Sequence, residues 1–114
     1  MILNSSAIQL LSEYDICLST VKMNGFALQF IEHQTPEICL TAVQNNPYAL
    51  QFVKEQTHDI CMAAVQCNGY ALDFVKEQTP ELCIAAIKNN RNAVKYIRNQ
   101  PFILEILFNY KLLM

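Results

Sequence analysis

Charged side chains are scarce in this 114-residue chain: Lys, Arg, Asp and Glu make up 16% of it, against roughly 25% in ordinary soluble domains. With 53% hydrophobic residues, that scarcity excludes intrinsic disorder, because disordered segments are charged and poor in apolar side chains. Basic residues are fewest, eight against ten acids for a net charge of −2. This excludes general binding to a nucleic-acid backbone, which requires clustered Lys and Arg. No apolar run approaches the ~18 to 20 residues of a membrane span. The opening Met1-Ile2-Leu3-Asn4 lacks the basic region and long apolar stretch of a signal peptide. The expectation is a soluble, cytoplasmic protein. Chemistry-bearing motifs are missing as well: there is no Cys-x-x-Cys pair, nucleophile elbow, phosphate loop or paired acid and base. We therefore expect no enzyme, no metal and no cofactor.

What the chain does contain is a repeat. The stretch Thr35 to Gln56 recurs without insertion from Thr57 to Gln78 and again from Thr79 to Gln100, and a more divergent copy runs from Glu13 to Gln34. Four 22-residue units are thus in register, marked by Cys17, Cys39, Cys61 and Cys83. A fixed period of this length is the signature of stacked supersecondary units, so the expected architecture is an all-α solenoid of four helix-turn-helix repeats.

Each unit reads as two helices. Thr35-Pro36-Glu37 and Thr79-Pro80-Glu81 supply an N-cap, a proline preset for the first helical position, and an acid where the helix dipole favours one. Helix A starts there. Asn24, Asn46, Asn68 and Asn90 stand where helix B needs its cap, and the pattern predicts a helix B of about nine residues, ending at Gln34, Gln56, Gln78 or Gln100. Helices this short are marginal alone and depend on their neighbours. Helix A is apolar nearly all round (Ile38, Cys39, Leu40, Ala42, Val43), whereas helix B carries a stripe, Ala49, Leu50, Phe52 and Val53, with Gln51, Lys54 and Glu55 facing away.

The ends depart from the unit. Residues 1–12 contain Asn4 to Leu11, which follows the pattern of Asn24 to Ile31 and predicts a lone helix B serving as an N-terminal cap. Residues 101–114 predict an apolar C-terminal helix without a polar outer face, leaving Phe102, Leu104, Leu107, Phe108, Leu112 and Leu113 as candidates for self-association.

The string Cys-x-Ala-Ala-Val-x-x-Asn-Gly-x-Ala-Leu-x-Phe, Cys61 to Phe74 here, resembles the short paired-helix repeats of a family of unknown function found in giant-virus and some bacterial proteins. The resemblance covers residues 13 to 100. It implies a helical array suited to protein binding and no catalytic residues. Pro47 and Arg91 stand where that family has Gly.

Candidate site residues follow from the columns of the array. The periodic cysteines are expected to be buried core side chains, one helix spacing apart and out of disulfide reach. Cys67, which replaces Asn45 and Asn89 in the A to B turn, is expected at the surface, as an ordinary thiol or as a redox switch. His33 and His58 are expected to be solvated. Phe26, Tyr48 and Tyr70 form an edge column that suits either partner contact or packing between repeats. Gln29, Gln51, Asp73 and Lys95 vary while the scaffold repeats, as do Met23, Asn45, Cys67 and Asn89, and His33, Glu55, Glu77 and Asn99; such columns suit partner specificity. Arg91, Lys95 and Arg98 share a face with Lys88 close by, in a half (58–114) that sums to +1 where residues 1–57 sum to −3. That face suits either solvation or an acidic partner. Three functions are expected: an interaction module, a self-assembling structural protein (homodimer or end-to-end stack), or a small viral or phage inhibitor that masks a host protein, which would place it in the host cytoplasm.

Overall fold

The structure, a computed structural model, describes residues 5–109, with side chains across 13–99 and at Pro101, Ile103, Glu105, Ile106 and Phe108. Its α-helices are α1 (Ser5–Met23), α2 (Pro36–Asn45), α3 (His58–Cys67), α4 (Pro80–Asn89) and α5 (Gln100–Asn109). Between them lie four six-residue 3₁₀ helices: B1 (Gly25–Phe30), B2 (Pro47–Phe52), B3 (Gly69–Phe74) and B4 (Arg91–Tyr96). Successive α-helices pack on one another in one layer and successive B helices in a second. The result is the expected all-α solenoid, a rod of 60 × 22 × 20 Å.

Local chemistry explains the helix starts. Thr35, Thr57 and Thr79 are extended, and each side-chain oxygen accepts from the backbone N–H three residues on, at 3.2, 3.3 and 3.3 Å. This satisfies one of the donors that a helix N-terminus leaves open. Asn24, Asn46, Asn68 and Asn90 end one helix and start the next. Each is extended, and each Oδ1 accepts at 3.0 Å from the N–H two residues later.

Helix B differs from its expected form. It is a 3₁₀ turn of six residues, closed by bonds such as Val53 N–H to Leu50 O at 3.1 Å, and the chain is extended at Val53 (φ −76°, ψ 119°). Over so few residues an apolar stripe does not separate three residues per turn from 3.6. Carbonyls at the end of the turn accept glutamine side chains, described below.

The N-terminal cap also takes another form. In place of a helix B at 4–11 and a separate helix A from 13, α1 runs unbroken for 19 residues. At the positions of Thr35-Pro36 this unit has Glu13-Tyr14, so the threonine cap that starts α2, α3 and α4 and the proline of α2 and α4 are missing, and nothing stops the preceding turn from continuing.

The core is one continuous column set. Ile38, Cys39, Ala42 and Val43 of α2, Ala49 and Leu50 of B2, and Val53 after it are all buried, as are their equivalents in the next unit. Among the described residues, no buried side-chain nitrogen or oxygen lacks a hydrogen-bond partner.

Candidate interaction surface

Which side chains are available to a partner depends on which the repeat already uses. Gln34, Gln56 and Gln78 are all engaged within the stack. Gln56 Nε2 donates to Leu50 O (3.2 Å) in its own unit and to Phe74 O (2.8 Å) in the next, and its Oε1 accepts from Lys76 N–H (2.9 Å) and the Cys61 thiol (3.5 Å). Gln34 repeats all four contacts. Gln78 repeats the three amide contacts with Leu72 O, Tyr96 O and Arg98 N–H. An amide has two donors and two acceptor lone pairs, so Gln joins adjacent turns with its full capacity.

A second staple explains three of the variable residues. Asn45 Oδ1 accepts from Gly25 N–H (2.7 Å) while its Nδ2 donates to Lys22 O (3.0 Å). Asn89 does the same with Gly69 N–H (2.6 Å) and Gln66 O (3.0 Å). In the middle junction the donor position is Pro47, which has no N–H, and the acceptor position is Cys67. The two exceptions match each other. There Asn68 Nδ2 donates instead to the Tyr48 hydroxyl at 3.2 Å. The glycines of this column allow close approach: a Cβ on Gly25 or Gly69 would lie 2.3 Å from the carbonyl oxygen of Ala42 or Ala86.

The aromatic column packs between units. Phe26 meets Phe52, Tyr48 meets Phe74 and Tyr70 meets Tyr96, all edge to face with centroids 6.0, 5.9 and 5.5 Å apart, the geometry ring quadrupoles favour. Lys95 Nζ lies 5.2 Å from both the Tyr70 and Tyr96 rings, close enough for a cation–π contact. Arg98 donates to the carbonyls of Asp73, Val75 and Lys76 in the preceding turn. Lys54 and Lys76 reach back in the same way, to Glu32 O and Lys54 O. Gln29 and Gln51 are exposed, and each donates to the carbonyl three residues earlier, Phe26 O and Tyr48 O. Asp73 and Arg91 are exposed, as are His33 and His58.

Cys39, Cys61 and Cys83 are buried and Cys67 is exposed. Burial pushes the Cys61 and Cys83 thiols up to about 11, Arg98 pulling the second slightly down, and raises that of Cys39, with Glu55 adding to the effect. These thiols stay protonated at neutral pH, so the thiolate that reacts is scarce.

The surface that sequence reasoning missed is the N-terminal end of the rod. The Ile16 column is buried at Ile38, Ile60 and Leu82 (1%, 3% and 2% exposed), yet Ile16 itself is 64% exposed. Phe30 heads the column of Phe52, Phe74 and Tyr96, each half-buried against a ring of the preceding unit, and is 83% exposed. Cys17 and Ile31 are half-buried where their equivalents are buried. A groove of about 400 Å³ runs beside them, lined by Glu13, Tyr14, Cys17, Phe30, Ile31, Glu32, His33, Thr35 and Ile38. The columns mark the difference: the positions of Ile16 and Phe30 are exposed in the first described unit and covered or half-covered in the units after it. At the other end Phe108 is 77% exposed and Ile106 is buried. The side chains of Phe102, Leu104 and Leu107, and all of Leu112 and Leu113, lie outside the described residues.

Among the described residues, no three His, Cys, Asp or Glu side chains cluster as metal ligands would, and no helix is long and apolar enough to cross a membrane. Fold and surface together define a short α/3₁₀ repeat solenoid stapled by its own amides. Residues 13–57 and 35–79 match the family described as "Domain of unknown function (DUF4116)". Each match spans two units, together they cover more than half of the chain, and the chain belongs to this family. No curated protein and no solved structure matches the chain.

Proposed function

We propose that this protein is a non-enzymatic protein–protein interaction module whose main contact surface is the N-terminal end of the rod. The observation that carries the reading is that Ile16 and Phe30 are 64% and 83% exposed although the equivalent side chains of later units are covered. Contiguous exposed apolar side chains with a polar rim mark interaction sites, and a large aromatic beside a groove supplies the kind of contact that dominates binding energy. The chain's low basic content and net charge of −2 favour a protein over a nucleic acid as partner. The exposed side chains of Gln29, Gln51, Asp73 and Lys95 extend the surface along the B layer.

Site-specific photocrosslinking tests this reading. A photoreactive phenylalanine analogue at position 30, in protein expressed in its native cell, is expected to form protein adducts, and the same probe at exposed Gln44 is not. Absence of adducts at position 30, or equal yields at both positions, would count against it.

A further inference from the structure

We infer that the groove between α3 and α4 takes an amphipathic helix of a partner protein, laid antiparallel to both. That helix carries aliphatic side chains along its middle, acids in its first turn and bases in its last. The groove lies in the α layer and shares no lining residue with the N-terminal end, so its occupant is independent of what binds there.

The α layer packs on its own neighbours and on the B layer, and among the described residues nothing lies over its outer face. The row Leu40, Met62 and Ile84 is therefore only half-buried, although helix A is apolar nearly all round. Between α3 and α4 this row opens into a groove of about 530 Å³, with Met62 on one side and Ile84 and Ala85 on the other. That volume lies within the range of binding clefts.

The walls decide what kind of chain fits. Each is a helix of ten residues, about 15 Å or nearly three turns, whose backbone groups are bonded internally. An extended strand needs main-chain partners at a sheet edge, and a polyproline segment needs an aromatic-lined groove. This groove offers neither, since its apolar lining is Met, Ile and Ala. A third helix needs only the channel between two ridges of side chains.

Charge sets the direction. The repeat places α3 and α4 side by side in one sense, with Asp59 and Glu81 in their first turns. Lys88 stands at the far end of the groove, where α2 and α3 have Gln44 and Gln66. All three charges are exposed, and among the described residues no hydrogen bond or ion pair engages them. A helix favours acids at its own N-terminus and bases at its C-terminus. Laid antiparallel, such a partner brings its acids to Lys88 and its bases to Asp59 and Glu81; laid parallel, it meets like charge at both ends.

Size sets the strength. A three-turn helix across both walls covers a strip of about 15 × 20 Å, or roughly 600 Å² counting both partners, well under the ~1,200 Å² at the lower edge of stable interfaces. The association is weak and reversible, and salt weakens it further.

Two displayed libraries of helix-forming peptides of about 18 residues, long enough to be helical alone, test the inference on the full chain. Both randomise an aliphatic stripe; one has Glu in the first turn and Lys in the last, and the other exchanges the two. Only the first is expected to be enriched, and its peptides are expected to shift the NMR signals of Met62, Ile84, Ala85 and Lys88. Met62→Ser and Ile84→Ser, with folding checked by circular dichroism, are expected to weaken binding at least about fivefold, the scale of a contributing interface side chain. Asp59→Lys/Glu81→Lys/Lys88→Glu changes exposed side chains alone and is expected to reverse the preference between libraries. Equal enrichment of both libraries, or of the second alone, would overturn the direction. No enrichment, or binding that these variants leave unchanged, would overturn the inference, and shifts confined to the Phe30 end would do so while leaving the end-face reading in place.

Discussion

Replacing Gln56 by Ala removes three conventional hydrogen bonds, to Leu50 O, Phe74 O and Lys76 N–H, and the weaker one from the Cys61 thiol. Each ordinary bond contributes about 1 kcal/mol net. Desolvated backbone groups left without partners cost more, up to about 1–3 kcal/mol each, but Gln56 is only half-buried and water reaches part of the site. The estimate is a loss of about 3 kcal/mol, at the large end of single substitutions. With a urea m-value of about 1.5 kcal/mol per molar, the midpoint falls by about 2 M. Gln56→Glu separates hydrogen bonding from shape. It retains an acceptor for Lys76 N–H but places a carboxylate oxygen against Phe74 O, where a donor stood at 2.8 Å. At pH 7 it is expected to be at least as destabilised as Gln56→Ala. Facing carbonyls raise the introduced carboxyl's pKa, so acidification restores an O–H donor and narrows the gap to wild type below about pH 5. Urea melts followed by circular dichroism at both pH values provide the check, with Gln51→Ala as control because that side chain bonds only within its own turn. If Gln56→Ala lies within about 0.5 kcal/mol of Gln51→Ala, the range of an ordinary surface substitution, the amide staple does not hold the units together.

Asn89→Ala, which frees Gly69 N–H and Gln66 O, is expected to cost about 1–2 kcal/mol in the same melts, while Cys67→Ala, beside the donorless Pro47, costs under about 0.5. Gly69→Ala forces a methyl to within 2.3 Å of the Ala86 carbonyl oxygen and is expected to cost about 2 kcal/mol or more, in the range of overpacked cores; full stability would refute the close approach. At pH 8 a thiol reagent is expected to label Cys67 rapidly and Cys39, Cys61 and Cys83 only on unfolding, by mass spectrometry of the labelled peptides. Burial pushes the Cys61 and Cys83 thiols up to about 11 in the folded protein, from 9.0 for a free thiol. The folded state therefore holds those protons more tightly, and their contribution to stability is fully present below about pH 9 and is lost as pH rises toward 11. In Cys61→Ala/Cys83→Ala protein that alkaline loss is expected to shrink.

Much of the fold was legible in the columns of the sequence. The Thr-Pro-Glu starts and Asn turns sit where they were expected because caps are local: an oxygen two or three residues from the N–H that it binds needs no tertiary context. The form of helix B was not legible. At the end of B2, Phe52 O is bound by Gln34 and Leu50 O by Gln56, contacts 18 and 6 residues away that the apolar stripe does not announce. The site residues divide in the same way. Asn45, Cys67 and Asn89 looked like freely varying surface positions, yet their variation follows the presence or absence of an N–H at 25, 47 and 69, which only the pairing of adjacent units reveals.

The sequence by itself determined the repeat, its length, its helix starts and the apolar columns, since each depends on residue type at a fixed spacing along the chain. The tertiary structure decided which of those residues remain available. Stacking buries the leading face of every unit but the first, closes the Gln and Asn amides on neighbouring backbones, and leaves Ile16 and Phe30 exposed at the end of the rod, because a one-dimensional stack satisfies each unit only through the unit beside it.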